Sequence, residues 1–495
     1  MNKNNFSKLC LISLLTFSLA SCGEEKNEEA YTDDTTFNGT TYYDKVETRS
    51  KFANDDERNI DEHLENGVLN DSYWNSLSGV WQNESATYPH NGVQKRNLLY
   101  VKDGKNTYLG FRGRGMYNTL SDTNKNDAGY ILPEGACIIS KNRLGPGRYE
   151  FEMAAMPRYG GVSAAWTYMT ETGNELTSQN EIDIEIGGEK GKDTFTHEWC
   201  TSWTKKTNKS TKNVDTSKVA YMNDGVFHKY SFDWYTDYCG SGKGRVDWFI
   251  DGVLISSISG GVVTDKEMPL WIGLWFPNWT NMASFDTDYL LLKSAKYTAF
   301  GGDQPYEEVR AKAGYTQEDP SKSSIQSITY DSVKNINKLA NSSFENFSLC
   351  KQDQSYFGWN TNELSEGASV KIANESNTPN GHSFLLEAGK ENTNLSQWVE
   401  CAYGGYTFDY SLLSKILPSS EINLEFHYWN SYRNKEVKDA TSLSLTSTSW
   451  EEKKGTLTLP NNCYHLEMRI SAKKGSVYLD DSSLIYKGKK LIRNL

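Results

Sequence analysis

The sequence predicts an all-β protein that contains two β-sandwich units. Between about residues 55 and 300, short runs of alternating apolar and polar residues are separated by turn residues. This region has no long stretch in which apolar residues recur every 3.6 positions, as they do in an amphipathic helix. A second alternating region lies between about residues 333 and 488. A chain of 495 residues has room for two or three units of this size.

Six runs in the first region have the alternation and composition of strands. They are Gly147 to Met153, Val162 to Met169, Glu181 to Ile186, Phe227 to Trp234, Val246 to Ile250 and Leu270 to Trp275. Asp251-Gly252 follows the fifth run directly and is typical of a two-residue hairpin turn. We therefore expect consecutive strands joined by tight turns.

Residues 301–332 differ in composition from the regions on either side. Two glycines open this segment, a short helix is expected around residues 305–313, and a stretch rich in serine and threonine follows. This composition is typical of a linker. The second sandwich is then expected at residues 333–488.

The first 21 residues have the pattern of a secretory signal peptide. Their apolar run, Leu9 to Ala20, follows two lysines and is too short to span a bilayer. It ends in Leu-Ala-Ser-Cys22, which resembles the lipobox of bacterial lipoproteins, and residues 22–54 resemble the acidic tether of surface-exported ones. The resemblance implies lipidation at Cys22 and an outward-facing place on the outer membrane, attached through the lipid only. A plain secretory signal is the alternative.

Charge and composition limit the partners of the chain. The formal net charge of −12 leaves no basic surface that could replace the counterions of nucleic acid, so a nucleic-acid partner is not expected. The 30 tyrosines and 14 tryptophans suit a protein that offers aromatic platforms to sugars, although they also suit the cores of β-sandwiches. Three cysteines remain in each region once Cys10 and Cys22 are set aside, so disulfides are not predictable.

Glu181, Asp183 and Glu185 alternate with isoleucines, so on a strand all three carboxylates face the same side. A solvated acidic strand face would share this pattern, but three like charges on one face repel each other and do not favour stability. Retaining glycosidases need two carboxyl groups roughly 5 to 5.5 Å apart. The Cα atoms of residues 181 and 185 lie roughly 13 Å apart on a strand, and inward-leaning glutamates close much of that gap. The pattern therefore indicates a catalytic pair, with Asp183 tuning the two pKa values.

This segment resembles the Glu-Xaa-Asp-Xaa-Glu signature of glycoside hydrolase family 16, in the form without a β-bulge. Further segments that agree with the family are His90 to Val93, Gly135 to Lys141, Gly147 to Glu150, Phe227 to Trp234, Asp251 to Val253 and Gly273 to Trp275. The resemblance implies a catalytic domain at residues 55–300 with a concanavalin-like β-jelly roll and a cleft on its concave face. It implies that Glu181 is the nucleophile, Asp183 its assisting carboxylate and Glu185 the general acid/base, with no metal or organic cofactor in the chemistry.

The same resemblance suggests residues that contact the polysaccharide substrate. These are Trp166, His197, Trp199, Trp275 and Trp279. The tryptophans would stack on sugar rings, although each also suits the core, and His197 also suits a structural role. Two departures from the family are Gln179, where mixed-linkage glucanases typically carry tryptophan, and Lys293, where many members have a calcium-binding aspartate. We therefore predict no calcium site at Lys293.

Residues 333–488 resemble carbohydrate-binding modules of families four and twenty-two, through Asn341 to Glu345, Gly358-Trp359 and Tyr478 to Asp481. The resemblance implies carbohydrate binding and a structural calcium between Glu345 and Asp480, although a plain spacer domain shares these motifs. Candidate platform residues are Tyr356, Trp398, Tyr403, Tyr406, Tyr428, Trp429 and Tyr432. Trp359 and Trp450 are expected in the core.

The sequence thus indicates an endo-acting, retaining glycoside hydrolase that cleaves a β-linked polysaccharide. A β-1,3- and/or β-1,4-glucan is the expected substrate, with xyloglucan, galactan or host glycans as alternatives within the family. A non-catalytic surface glycan-binding protein or a structural adhesin would not need all three carboxylates, which this chain retains.

Overall fold

The structure, a computed structural model, describes most of the chain between residues 59 and 489. The described residues are 59–64, 67–79, 90–170, 174–187, 197–216, 219–220, 224–236, 238, 243–277, 279–280, 282–300, 316–318, 325–379 and 381–489. The predicted signal peptide (1–21), Cys22 and the tether (22–54) lie outside these residues, as does the helix expected around 305–313.

Two large sheets face each other in the first unit. The nine-stranded sheet contains β1 (Ile60–Glu62), β3 (Leu98–Asp103), β4 (Asn106–Arg114), β6 (Gly147–Ala154), β11 (His228–Tyr235), β12 (Arg245–Ile250), β13 (Val253–Ser259), β15 (Thr287–Ala299) and β17 (Gln326–Thr329). The eight-stranded sheet contains β2 (Trp74–Ser78), β5 (Ala136–Leu144), β7 (Val162–Thr170), β8 (Gln179–Gly187), β9 (His197–Lys205), β10 (Asn208–Asp215), β14 (Met268–Trp275) and β16 (Thr316–Glu318). Strands distant in sequence lie side by side, as in a jelly roll.

The strand order places β8 well inside its sheet. The order of the eight-stranded sheet is β10-β9-β8-β7-β14-β5-β2-β16, and that of the nine-stranded sheet is β13-β12-β11-β6-β15-β4-β3-β17, with β1 paired to β15. A continuous apolar core fills the space between the two sheets. The predicted β-jelly roll is therefore confirmed.

All six predicted strands are present, as β6, β7, β8, β11, β12 and β14, with ends shifted by at most two residues. Asp251 and Gly252 join β12 to β13 with φ angles of 49° and 78°. These left-handed values are what a two-residue hairpin needs, and they explain the Asp-Gly pair.

A second β-sandwich follows, as predicted. Its five-stranded sheet has the order β18 (Ser369–Ala373), β19 (Ser383–Glu387), β26 (Ser476–Lys489), β21 (Tyr406–Ile416) and β24 (Glu451–Thr458). Its four-stranded sheet has the order β20 (Thr393–Val399), β25 (His465–Lys474), β22 (Glu421–Trp429) and β23 (Glu436–Leu445). The described helices are α1 (Glu175–Ser178), α2 (Tyr330–Lys334) and a 3-10 turn at Lys95–Asn97.

Three of the predicted platform residues are core residues instead. Tyr403, Tyr406 and Tyr428 are almost fully buried in the apolar core of the second sandwich. Tyr428 lies on the inward face of β22 because it alternates with exposed or half-exposed neighbours along that strand. Trp359 is fully buried, as expected, whereas Trp450 is only half-buried.

Part of the segment predicted as a linker adds strands to the first unit. β16 pairs with β2 in the eight-stranded sheet, and β17 pairs with β3 in the nine-stranded sheet. The β17–β3 pair is parallel, unlike the other strand pairs among the described residues. Residues beyond 300 therefore complete both sheets of the first sandwich.

A buried ion cluster joins the two sandwiches. Arg158 and Asp288 of the first unit are each 3 % exposed, and their side chains are bonded at 2.9 Å. Lys338, which leads into the second unit, lies 2.6 Å from the same carboxylate, and its carbonyl accepts a hydrogen bond from Arg158 at 3.1 Å. Burial alone would raise the pKa of Asp288, but the two cations hold it below its usual value.

Apolar and neutral contacts extend this junction. Met116, Tyr117 and Ile131 of the first unit pack against residues of the second. Those residues are Ala340, Cys350 and Phe357. The Gln352 amide also donates to the carbonyl of Ile131 at 2.7 Å. The two sandwiches therefore share a desolvated interface.

We expect Asp288→Asn to destabilise the protein strongly. The substitution leaves two buried cations without their anion, and breaking a buried ion pair in this way costs about 3–5 kcal/mol. Urea unfolding followed by tryptophan fluorescence measures this loss.

Lys293→Met is the matched control for this experiment. Its partly exposed pair with Glu152 should contribute less than about 1 kcal/mol. Similar losses for both variants would mean that the Asp288 cluster does not hold the junction.

Candidate active site

Glu181, Asp183 and Glu185 lie on one side of β8. The three isoleucines that alternate with them are fully buried in the core between the sheets. Since side chains alternate along a strand, burial of the isoleucines turns the carboxylates to the outer face of the eight-stranded sheet. Asp183 is 4 % exposed, whereas the two glutamates are half-buried. The outer face therefore presents two accessible carboxyl groups with a buried one between them.

Two tryptophans of β9 flank the accessible carboxyl groups. Trp203 lies opposite Glu181 in the antiparallel pairing, and Trp199 lies opposite Glu185. Trp199 was predicted from its position after the β8–β9 turn, and the register confirms that it lies beside the carboxylate strand. Each glutamate thus has an aromatic neighbour on the same side of the sheet.

Trp166 lies opposite Asp183 on β7. Its ring stacks on that of Trp271 from β14, with a centroid distance of 5.6 Å and an interplanar angle of 23°. Both rings are largely buried within an apolar cluster on this face. The cluster contains Leu77, Val93, Cys137, Ile139, Val162, Ala164, Trp166, Trp271 and Trp275.

Three predicted tryptophans meet at one end of the outer face. The ring of Trp279 contacts those of Trp199 and Trp275 edge-on, at centroid distances of 4.9 and 6.1 Å. Trp279 is 37 % exposed, and the other two are buried. His197 begins β9, and its backbone pairs with Asp215. The side chain of His197 lies outside the described part of the chain.

Hydrogen bonds hold the carboxylate strand in place. The Gln179 amide donates to Glu181, and the Trp203 indole donates to the Asp183 carboxylate at 3.1 Å. From the nine-stranded sheet, the Trp248 indole donates to the backbone carbonyl of Asp183 at 2.9 Å. Trp203 thus holds the side chain of Asp183, and Trp248 holds its backbone.

Burial raises the pKa of all three carboxyl groups. The pKa of Glu181 is raised to about 8 and that of Glu185 to about 7, while that of Asp183 lies well above its usual value. Repulsion between the carboxylates adds to burial for Glu181 and Asp183. Their mutual hydrogen bond raises the pKa of Asp183 and lowers that of Glu181, as expected when Asp183 holds the proton.

A lysine at the edge of the sheet faces the same site. Lys209 of β10 lies over the Trp203 ring, 4.2 Å from its centroid. Its charge lowers the pKa of Glu185 against the larger effect of burial. The site therefore combines proton-holding carboxyl groups, one cation and several aromatic rings.

Sequence reasoning missed several of these residues. The missed residues are Tyr168, Trp203, Lys209 and Trp271. Trp203 could have been found from the sequence, because it lies four residues after Trp199 and therefore shares its face on a strand. Lys209 could not, because its position depends on the pairing of β10 with β9.

A second polar cluster borders the apolar part of this face. Glu134 is 1 % exposed and accepts hydrogen bonds from Arg96 at 2.9 Å, Asn91 at 2.9 Å and Asn97 at 3.1 Å. The following residue pairs with Val93, which belongs to the apolar cluster. Asn91 was expected only as part of the segment His90 to Val93 that agrees with the family, and Glu134 was not predicted.

The calcium predicted for the second unit stays a prediction. Glu345 accepts the N–H of His382 at 2.8 Å, and Asp480 accepts hydrogen bonds from Ser376 at 2.9 Å and Asn377 at 3.0 Å. A calcium ion bound here would have to replace these donors at the carboxylate oxygens. Within the described ranges, no group of three or more potential ligands comes together to hold a metal.

The described cysteines and helices give two further findings. Cys137, Cys200, Cys350, Cys401 and Cys463 are buried free thiols. None of the helices in the described part of the chain is long and apolar enough to cross a membrane.

Comparison with protein families matches residues 78–289 to glycosyl hydrolases family 16. This range includes β8 and the strands that flank it. A comparison with curated proteins gave no match.

The chain is also similar to solved glucanase structures. A β-1,3-1,4-glucanase (lichenase) from a mouse hindgut metagenome is 17 % identical, with 48 % of this chain and 98 % of that chain covered and a TM-score of 0.35. A family 16 endo-glucanase from Bacteroides ovatus is 12 % identical, with 48 % and 99 % covered and a TM-score of 0.37. An endo-β-1,3-glucanase from Pyrococcus furiosus is 14 % identical, with 51 % and 94 % covered and a TM-score of 0.36.

We expect Glu185→Gln to stabilise the protein at high pH. Because burial raises the pKa of Glu185 from 4.5 to about 7, the folded protein holds this proton more tightly than the unfolded chain does. Folding stability then falls as the pH rises from about 4.5 to 7, by up to about 3 kcal/mol. The neutral amide avoids this loss, so thermal unfolding should show a higher Tm for the variant at pH 8 and an equal Tm near pH 4.5.

Glu152→Gln, at a partly exposed carboxyl on β6, is the control for this experiment and should change Tm little at either pH. A Glu185→Gln protein that is no more stable than the wild type at pH 8 would contradict the idea that the desolvated charge of Glu185 lowers stability at that pH.

Proposed function

We propose that this chain, in which residues 78–289 form a domain of glycosyl hydrolases family 16, is an endo-acting, retaining hydrolase of a β-linked polysaccharide. The observation that carries the proposal is the row of carboxyl groups on the outer face of β8. Two of them are accessible, all have raised pKa values, and aromatic rings surround them. Double displacement uses two carboxyl groups of this kind, one as nucleophile and one as acid/base.

In the proposed reaction, the Glu181 carboxylate attacks the anomeric carbon while Glu185 protonates the leaving glycosidic oxygen. The resulting glycosyl ester on Glu181 is then attacked by water, from which Glu185 removes a proton. The second attack releases Glu181 and a sugar with the original β configuration. Asp183, held by Trp203, carries the proton that it donates to Glu181.

The reaction needs one charge and one proton on the pair of glutamates. Their charges repel, so ionisation of either favours the protonated form of the other. The pKa values of about 8 for Glu181 and about 7 for Glu185 would leave the proton on Glu181 in the free protein. A sugar bound over Glu185 excludes water and raises its pKa further, while Asp183 continues to donate to Glu181. Substrate binding therefore gives the proton order that the reaction needs.

A β-1,3- and/or β-1,4-glucan is the substrate that we propose. The exposed ring of Trp279 offers a flat apolar surface to the face of a β-linked chain, and the buried rings of Trp199 and Trp275 support it. Gln179 occupies the position of a tryptophan in mixed-linkage glucanases, so a substrate other than lichenan is compatible with this site. Xyloglucan, galactan and host glycans remain the alternatives, and retention of all three carboxylates opposes a purely glycan-binding role.

We also propose that the second sandwich binds carbohydrate. Trp398 and Trp429 lie half-buried on the outer face of the four-stranded sheet, with ring centroids 5.4 Å apart. The guanidinium of Arg433 lies over Trp398, 5.0 Å from its centroid. The paired rings offer an aromatic platform, and lipidation at Cys22 would hold both units at the cell surface.

Substitution of the glutamates tests the catalytic roles. Glu181→Ala removes the nucleophile, so turnover should fall below detection while substrate binding persists. Glu185→Gln removes proton donation and should lower kcat by about 10² to 10⁴, with the smallest loss on aryl glycosides. Proton NMR of the first product should show the β-anomer, and kcat/KM of the wild type should peak between about pH 7 and 8.

The control is Glu152→Gln, which should retain full activity because this carboxyl lies in the other sheet. The panel of substrates should include β-glucans, xyloglucan, galactans and mucin glycans. An α-anomeric first product, or normal turnover by Glu181→Ala, would refute the assignment.

Substitution of the paired tryptophans tests the second unit. The double variant Trp398→Ala/Trp429→Ala should lose binding to insoluble glycan in pull-down assays, because the platform is removed. Hydrolysis of soluble oligosaccharides should not change. Trp450→Ala is the matched control. This half-buried tryptophan contacts Tyr478 of the five-stranded sheet, whereas the paired rings lie on the four-stranded sheet. Equal binding by all three proteins would exclude the platform.

A further inference from the structure

We infer that Gln179 is a positioning residue that favours the ionised, attacking form of Glu181 by donating a hydrogen bond to it. This inference rests on the proposed function and adds a residue to it. Gln179 begins β8 two residues before Glu181, so both side chains face the outer side of the sheet. Its amide donates to the Glu181 carboxylate. The amide nitrogen faces Glu181, where an N–H donor favours the carboxylate over the neutral acid.

The other end of the amide leaves Glu181 as the hydrogen-bond partner of the Gln179 side chain among the described residues. Gln179 is 7 % exposed, and its amide oxygen is buried. That oxygen has no hydrogen-bond partner among the described residues. A buried acceptor without a donor is costly, so this oxygen contributes nothing that would favour a buried amide here. The hydrogen bond to Glu181 is therefore the feature that explains a buried amide at this position.

The groups around Glu181 make such a donor necessary. On β8 itself, Asp183 and Glu185 carry potential negative charges. Glu175 of α1 adds another, and Tyr168 of β7, opposite Glu181, donates to Glu175 at 3.1 Å. Burial and the two neighbouring glutamates all raise the pKa of Glu181. A donor to the carboxylate offsets part of these effects.

The nearby cations offer Glu181 little direct help. The ammonium group of Lys206 forms an ion pair with the carboxylate of Glu175, at 3.4 Å, rather than with Glu181. Lys209 lies over Trp203, and its charge acts on Glu185. Gln179 and Asp183 are the groups whose hydrogen bonds lower the pKa of Glu181. Because Gln179 is uncharged, it favours the carboxylate without supplying an acid that competes with Glu185.

Two substitutions of similar size test the inference. Gln179→Met removes the donor, and Gln179→Glu replaces it with a repelling carboxyl. In full-length protein labelled with 13C-glutamate, the Glu181 carboxyl signal, assigned with Glu181→Gln, gives its pKa directly. A hydrogen bond to a charged group predicts that Gln179→Met raises this pKa by about one unit or more. Gln179→Glu should raise it further, and the acid limb of kcat/KM should move upward by the same amounts.

Gln326→Met, a replacement of an exposed glutamine on β17, is the control and should leave the Glu181 pKa unchanged. An unchanged pKa in either folded Gln179 variant would overturn the inference. Loss of folding in both variants would do the same, since it would assign Gln179 to the scaffold. Absence of hydrolysis by the wild type on the substrate panel would count against the proposed function, and the pKa measurement needs no turnover.

Discussion

One strand must satisfy two opposite demands, and the rest of the first unit depends on how it does so. β8 buries its isoleucines in the core and turns its carboxyl groups to the outer face. Because the period of a strand is two, a slip of one residue would place three carboxyl groups in an apolar core. The Trp248 indole, bonded to the Asp183 carbonyl from the facing sheet, opposes such a slip. The free energy gained by burying the three isoleucines thus offsets the unfavourable desolvation of the carboxyl groups.

The sequence was sufficient where the information is local. Alternation located β6, β7, β8, β11, β12 and β14, and Asp251-Gly252 located a hairpin, since both patterns depend on neighbouring residues alone. The alternation of Glu181, Asp183 and Glu185 placed them on one face for the same reason. The catalytic roles themselves stay predictions.

Prediction failed where strands or units meet from distant parts of the chain. Lys209 reaches the site through the pairing of β10 with β9, and Trp271 through that of β14 with β7. The Arg158–Asp288–Lys338 cluster unites residues that are 180 positions apart along the chain. Tyr406 and Tyr428 were misjudged because composition does not tell which face of a sandwich strand is buried. In each case the deciding information lies in tertiary contacts.

The parallel pairing of β17 with β3 also affects how the protein is made. β3 is among the first strands of the sandwich to be synthesised, but β17, its partner at the sheet edge, follows more than 200 residues later. Until then, β3 presents an open row of backbone donors and acceptors, to which a strand of another nascent chain can pair. Completion of the first sandwich is therefore tied to arrival of the residues that lead into the second. A truncated chain that ends before β17 would therefore have an unprotected edge at β3.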